Sequence, residues 1–179
     1  MRREVYLFGV HHNYQFPDSK IFIYASHEER DQLSHSLVTA ISEHSIRGIA
    51  EEMSLEALEK RSISGGSMLC RFATQIALPY RYCDLKPYEP DEQREQTWID
   101  ELGAFDTFPV LFVLGASHVD SFAHLLTKSG LPAVHCRTRL EAVFRSKRGH
   151  LTRPMEPMPL DLIMNFFAVR PSACSGPRS

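Results

Sequence analysis

The stretch Pro-Val-Leu-Phe-Val-Leu-Gly-Ala-Ser-His, residues 109–118, decides the fold that we predict. Its apolar run is continuous and rich in β-branched and aromatic residues, which is typical of a strand buried on both faces of a parallel sheet. The run ends at Gly115, where glycine allows a sharp turn, and His118 follows just past the carboxyl end of the predicted strand. Because open α/β sheets bind ligands at that edge, the stretch predicts a buried strand that presents a functional histidine.

The same pattern occurs near the start of the chain. The apolar run Val-Tyr-Leu-Phe, residues 5–8, leads into Gly9, Val10, His11 and His12, so that both runs are followed by Gly-x-x-His. We expect the two motifs to bring two imidazoles to one edge of the sheet. Clustered titratable groups mark functional sites, so the repetition favours a functional role more than either motif does alone.

The segments between and after the two motifs alternate between strand and helix signals. Further strands are predicted at residues 46–50, 80–83 and 131–136, and helices at about residues 26–44, 68–78, 92–102 and 119–129. This alternation predicts a three-layer α/β fold, with a central, mainly parallel sheet of four to five strands and helices on both faces. We assign residues 1–150 to a single α/β domain of catalytic type, and residues 151–179 to a proline-rich, partly disordered C-terminal tail.

Composition and charge narrow the classes of function. The chain has 179 residues and a formal net charge of −2, so a nucleic-acid-binding surface, which would need a basic face, is not expected. No apolar run approaches the roughly 18–20 residues of a membrane helix, no secretory leader precedes the first strand, and the four cysteines show neither metal-binding nor disulfide spacing. We therefore expect a cytoplasmic protein that acts on a small-molecule or peptide substrate, without nucleic acid or membrane partners. A homodimer stays open.

Each of the first four predicted strands ends in titratable side chains. These are His11 and His12, Glu51 and Glu52, Asp84, and His118. Right-handed crossovers between parallel strands place all of these ends on one edge of the sheet. Imidazole and carboxylate groups together suit a divalent metal such as zinc, manganese or cobalt, and a metal with an open position supplies hydroxide near neutral pH. The candidate ligands are His11, His12, Glu51, Glu52 and His118.

The same residues permit chemistry without a metal. One histidine would then act as a general base, and Asp84 would either orient a histidine or complete a ligand set. Since side chains alternate along a strand, one of Glu51 and Glu52 is expected to point into the site and the other to solvent, with a slight preference for Glu51. Arg94 is either a surface helix residue or reaches over the edge to stabilise a substrate anion. No Gly-x-Ser-x-Gly, P-loop or Gly-x-Gly-x-x-Gly motif occurs, which disfavours serine hydrolases, NTPases and dinucleotide enzymes.

The paired motifs, and the order in which they occur, resemble the erythromycin esterase, ChaN and TraB–Tiki superfamily. The matching segments are Gly-Val-His-His at 9–12, Ile-Ala-Glu-Glu at 49–52 and Gly-Ala-Ser-His at 115–118, within a resemblance that covers about residues 5–136. The segment 84–98, which contains Glu92 and Arg94, also looks like small bacterial members whose function is not defined.

The resemblance implies both a site and a reaction. It implies that His12, Glu51 or Glu52, and His118 form the active site of a metal-dependent hydrolase of ester, amide or peptide bonds. The chain lacks the helical additions of the esterases, the membrane anchors of the TraB and Tiki branches, and a haem-binding signature, so no substrate is implied. One alternative is an inactive binding module for a small anionic ligand or a protein partner. Another is an interaction protein that buries the tail around residues 166–167 in a homodimer.

Overall fold

The computed structural model describes residues 3–11, 14–15 and 27–136. His12, the predicted domain limit at residue 150 and the predicted C-terminal tail all lie outside these residues. No helix within the described ranges is both long enough and apolar enough to cross a membrane.

Five parallel strands form one sheet in the described part of the chain. The strands are β1 (Val5–Val10), β2 (Gly48–Glu51), β3 (Tyr80–Tyr82), β4 (Val110–Gly115) and β5 (Ala133–His135). The helices are α1 (His27–Glu43), α2 (Leu55–Lys60), α3 (Met68–Gln75), α4 (Asp91–Gly103) and α5 (Val119–Lys128), and a 3-10 turn (Ala116–His118) joins β4 to α5. The strand order is β3-β2-β4-β1-β5. The predicted three-layer α/β fold is confirmed, and the sheet has the larger of the two predicted strand numbers.

Strand β4 occupies the centre of the sheet, as its sequence predicts. All six of its residues are buried, and its side chains alternate between two apolar layers. Val110, Phe112 and Leu114 pack with α4 and α5, whereas Leu111 and Val113 pack with α1 and α3. The continuous apolar run therefore reflects a strand that is covered on both faces.

The connections that leave the strands diverge at the carboxyl end of β4. Helices α1 and α3, which follow β1 and β2, pack on one face of the sheet, while α4 and α5, which follow β3 and β4, pack on the other. Strand β4 lies between β1 and β2, so the connection that leaves it departs in the opposite direction from those of both neighbours. Ligands of open α/β sheets bind at such positions, where neighbouring connections diverge.

Gly9 lets the two Gly-x-x-His motifs approach each other closely. Strands β1 and β4 are neighbours, and Val10 pairs with Gly115 in the register. A Cβ atom on Gly9 would lie 2.8 Å from Val119 Cγ2 and 3.3 Å from Ala116 Cα, which is nearer than packed carbon atoms approach. The glycine of the first motif is therefore needed for packing against the turn that carries the second.

Replacing Gly9 with alanine is expected to lower the free energy of unfolding by about 1–3 kcal/mol, because the added methyl group overpacks the contact with Val119. Urea unfolding measures the change. Gly103→Ala is the matched control, since a Cβ atom there has no neighbour within 4 Å, and this variant should be neutral or slightly stabilised. Equal stabilities of the two variants would remove the packing role of Gly9.

Candidate functional site

Five polar residues meet at the carboxyl edge of β2, β3 and β4, and we call them the edge cluster. They are Glu52, Asp84, Arg94, Glu95 and His118. Glu52 and Asp84 follow β2 and β3, Arg94 and Glu95 lie early in α4, and His118 ends the 3-10 turn after β4. Three of the predicted strand ends thus come together, and a helix adds two further charged residues to them.

Arg94 is the centre of the ion pairs in this cluster. Its Nη2 atom donates to Glu52 Oε1 at 2.6 Å and to Asp84 Oδ2 at 3.0 Å, and its Nε atom donates to Asp84 Oδ1 at 3.2 Å. Burial alone would lower the pKa of Arg94, but the hydrogen bonds and negative charges of Asp84 and Glu52 raise it above its ordinary value, so the guanidinium stays charged. Nη1 donates to Asp91 at 3.1 Å.

These contacts correct one of the two alternatives that the sequence left for Arg94, and its role toward a substrate anion stays a prediction. The side chain is largely buried, so it is not an ordinary surface residue. Each of its three nitrogen atoms donates to a carboxylate of the protein, so a substrate anion that approached Arg94 would meet the negative charges of Glu52, Asp84 and Asp91. The geometry instead makes Arg94 the residue that holds Glu52 and Asp84 in place.

Glu52 connects β2 to the turn that carries the second motif. Its Oε2 atom accepts a hydrogen bond of 2.7 Å from the Gly115 amide, while Oε1 accepts from Arg94. Asp84 is held similarly, because its Oδ1 atom also accepts from Trp98 Nε1 at 3.1 Å. Each of these buried carboxylates thus has both a charged and a neutral donor, as buried charges require.

His118 lies between two acidic side chains. Its Nδ1 atom is 3.1 Å from Glu95 Oε1, and its Nε2 atom is 3.9 Å from Glu52 Oε1. A carboxylate can only accept a hydrogen bond, so the Glu95 contact places the proton on Nδ1 and leaves Nε2 as the basic nitrogen of the neutral ring. Ser121 Oγ donates to Glu95 at 2.6 Å, and the ring edge packs on Trp98. The imidazole is therefore fixed in tautomer and in orientation.

Glu95 is the functional candidate that sequence reasoning missed. The sequence contains one indication of its role. Glu95 stands three residues before Trp98, so the two side chains share the inward face of α4. A glutamate on a buried helix face needs a partner. The sequence does not reveal that this partner is His118, since the two residues are 23 positions apart.

Glu51 lies in a separate polar group on the other face of β2. Ser67, the N-cap residue of α3, donates to Glu51 Oε2 at 2.6 Å, and the Tyr80 hydroxyl donates to the same oxygen. Both Glu51 and Glu52 are buried, so the expectation that one would face solvent is corrected, as is the slight preference for Glu51 beside the histidine. The reason is that helices cover both faces of the sheet. Glu51 points toward α3 and Glu52, by strand alternation, toward α4, so neither side chain reaches solvent.

Burial raises the pKa of Glu51 to about 7, although the hydroxyl groups of Ser67 and Tyr80 oppose this rise by donating to the carboxylate. Its Oε1 atom has no hydrogen-bond partner among the described residues. Folding therefore favours the protonated form of Glu51 relative to the unfolded chain.

The stability of the protein should fall as the pH rises through the range in which Glu51 titrates. Between pH 4.5 and about 7 the folded state binds more protons than the unfolded state, so the free energy of unfolding decreases with pH, by about 2 kcal/mol between pH 5 and pH 8. Glu51→Gln has no carboxyl group at this position, so its free energy of unfolding should lack this decrease between pH 5 and pH 8. Urea unfolding of both proteins at the two pH values measures it, and parallel slopes would contradict the raised pKa.

The described residues do not form a metal centre by themselves. No group of three or more histidine, cysteine or acidic side chains within these ranges is placed to hold a metal ion. Nδ1 of His118 faces Glu95, and the oxygens of Glu52 accept from Arg94 and Gly115. His11 is exposed at the end of β1, and His12 lies outside the described residues. The metal site therefore stays a prediction.

Comparisons with known proteins leave the family unassigned. No protein-family model matches this chain, and neither a curated protein nor a solved structure matches it. The resemblance to the esterase-like superfamily accordingly stays a prediction that is carried by the motifs. What the chain is shown to have is a parallel α/β fold, with a histidine held between two acids at the carboxyl edge of its sheet.

Proposed function

We propose that this protein is a small hydrolase of ester, amide or peptide bonds, with its active site at the edge cluster. The observation that carries the proposal is the placement of His118, whose Nδ1 atom faces Glu95 while Nε2 has no hydrogen-bond partner among the described residues. The 3.9 Å between Nε2 and Glu52 is too long for a hydrogen bond. That nitrogen is thus left for a water molecule or for the substrate.

In the proposed reaction, Nε2 of His118 takes a proton from a water molecule as the water oxygen forms a bond to the acyl carbon. The bond from the acyl carbon to the leaving oxygen or nitrogen then breaks, and the imidazolium returns the proton to the leaving group. Glu95 stabilises the imidazolium through Nδ1, and Glu52 adds a second negative charge nearby. Arg94 keeps Glu52 from moving onto the histidine.

The resemblance to the esterase-like superfamily supports the same reaction class, since its Gly-x-x-His motifs match at both strand ends. It also implies a divalent metal with His12 among the ligands. Both Glu52 oxygens and Nδ1 of His118 are engaged with other groups of the protein, which leaves Nε2 of His118 as the basic atom of the edge cluster, and we assign the proposed proton transfer to it.

The alternative is a binding module that keeps this edge without activity. It is favoured by the hydrogen bonds and ion pairs that Arg94, Glu52 and Asp84 make with one another and with Gly115, which is also how a purely structural polar network is built. A structural network does not need a ring nitrogen that, among the described residues, has no hydrogen-bond partner, and Nε2 of His118 is what favours the enzyme.

Hydrolysis of p-nitrophenyl acetate by the wild type and by Glu95→Gln tests the proposal. Glutamine keeps the size of the side chain but removes the charge that stabilises the imidazolium, so kcat should fall by about 100-fold while KM changes little. Glu101→Gln is the matched control, because Glu101 lies on the same helix and pairs with Arg81 instead. An equal kcat in the wild type and Glu95→Gln, or no turnover above that of buffer in the wild type, would favour the binding module.

A further inference from the structure

Exposed apolar side chains lie beside the edge cluster. Among the described residues, the large hydrophobic side chains that are exposed are Leu55 (50%), Leu85 (51%) and Tyr88 (63%). Leu85 directly follows Asp84, and Leu55 stands three residues after Glu52. Three residues of chain span at most about 11 Å, so this apolar surface begins within that distance of the carboxylates. Single exposed apolar residues are ordinary, but several that gather at one edge indicate a binding surface.

An open groove of about 490 Å³ continues this surface along α2. Its lining includes Leu55, Ile63, Glu59 and the turn at residues 62–66. The ammonium group of Lys60 lies 3.7 Å from the centre of the Tyr88 ring, which joins α2 to the loop after β3. We call Leu55, Ile63, Leu85 and Tyr88 the apolar rim.

The charges of the edge cluster determine which ligands suit the apolar rim. Arg94 is surrounded by Glu52, Asp84 and Asp91, and Glu95 adds a further carboxylate beside His118. The cluster thus holds four carboxylates and one guanidinium, which pairs with three of them, so it repels an anionic group. The ester or amide bond of the proposed reaction is uncharged, so a substrate that is neutral there and hydrocarbon beyond it fits both features.

We propose that the apolar rim binds the hydrocarbon part of a neutral ester or amide substrate whose scissile bond lies at His118. This inference rests on the proposed function of the edge cluster and adds the substrate class to it. The apolar part of the substrate lies against Leu85, Tyr88 and Leu55, and longer chains extend into the groove along α2.

Chain-length dependence of hydrolysis tests the inference. Complete burial of one methylene group corresponds to about a fourfold gain in binding, and an open rim gives about half of that effect in free energy, or about twofold per methylene. The kcat/KM for p-nitrophenyl hexanoate should therefore exceed that for the acetate by about 15-fold in the wild type. In the double variant Leu85→Ser, Tyr88→Ser this ratio should fall to about threefold or less. Ala104→Ser, an exposed apolar-to-polar change at the far end of α4, should keep the wild-type ratio.

Equilibrium binding separates this inference from the proposed reaction. The probes are hexanamide and acetamide, titrated calorimetrically into His118→Ala, with and without the two serine substitutions. If hexanamide binds more tightly than acetamide, and the two serine substitutions remove this difference, the apolar rim is supported even if no ester is hydrolysed. Acetate hydrolysis that depends on His118 but shows no chain-length gradient overturns the inference and leaves the proposed reaction standing.

The thermal stability of the serine variant decides whether the rim is open. Exposed side chains contribute little to stability, so the melting temperature should stay within about 2 °C of the wild type. Lys60→Met removes the ammonium group above the Tyr88 ring and measures what that contact contributes. A fall of several degrees beyond that of Lys60→Met would show that another segment of this chain covers Leu85 and Tyr88, and it would overturn the inference.

Discussion

Replacing His118 with alanine is expected to lower kcat for ester hydrolysis by about 10²- to 10⁴-fold, the range that one proton-transfer residue contributes. The loss should appear in kcat, because the ring acts on the water molecule and on the leaving group during the reaction. His124→Ala is the matched control: His124 is an exposed histidine on α5, six positions further along the chain. Steady-state kinetics on p-nitrophenyl acetate measure both variants.

Two results would contradict this role. A folded His118→Ala protein with wild-type turnover removes the edge cluster from the reaction. Equal losses in His118→Ala and His124→Ala would point to a general effect on the protein. Metal analysis of the same preparations, together with His12→Ala, tests the predicted metal site separately, because stoichiometric metal that disappears in both His12 and His118 variants would assign those two ligands.

Replacing Arg94 with methionine should produce the largest loss of stability, about 3–5 kcal/mol, because it leaves buried carboxylates without their cation. The side chains of Glu52 and Asp84 are 1% and 6% exposed, so solvent cannot replace the guanidinium. Methionine keeps the apolar part of the side chain and limits the effect of lost packing. Urea unfolding at pH 8, where the acids are ionised in the unfolded chain, measures the change.

Arg81→Met provides the comparison for Arg94→Met. Arg81 pairs with Glu101 at 2.6 Å, but their side chains are 32% and 20% exposed, so this loss should be at most about 1 kcal/mol. Adding Glu52→Gln to Arg94→Met should restore part of the stability, because one of the unpaired buried charges is then absent. Similar losses in the two arginine variants would show that Arg94 does not organise the edge cluster.

The sequence alone determined the fold class and the edge of the sheet at which the candidate site lies. The apolar run of β4 has no polar position, so only burial on both faces can accommodate it, and Gly115 marks where the run must turn. Right-handed crossovers between parallel strands then place the carboxyl ends of the strands, and with them Glu52, Asp84 and His118, at the same edge of the sheet. These inferences use only the spacing of apolar residues along the chain and the residue types that form turns. Both are local properties of the sequence.

Only the tertiary structure decided which of these residues meet. Strand order places β4 between β1 and β2, which no local pattern specifies. The choice between Glu51 and Glu52 depended on which face of β2 is covered by α4, because α4 carries the arginine that pairs with Glu52. The pairing of Glu95 with His118 joins residues of different elements, whose contact is set by how α4 and α5 pack on the sheet. Side-chain partners are thus determined by packing between elements, which the spacing of residues along one element does not encode.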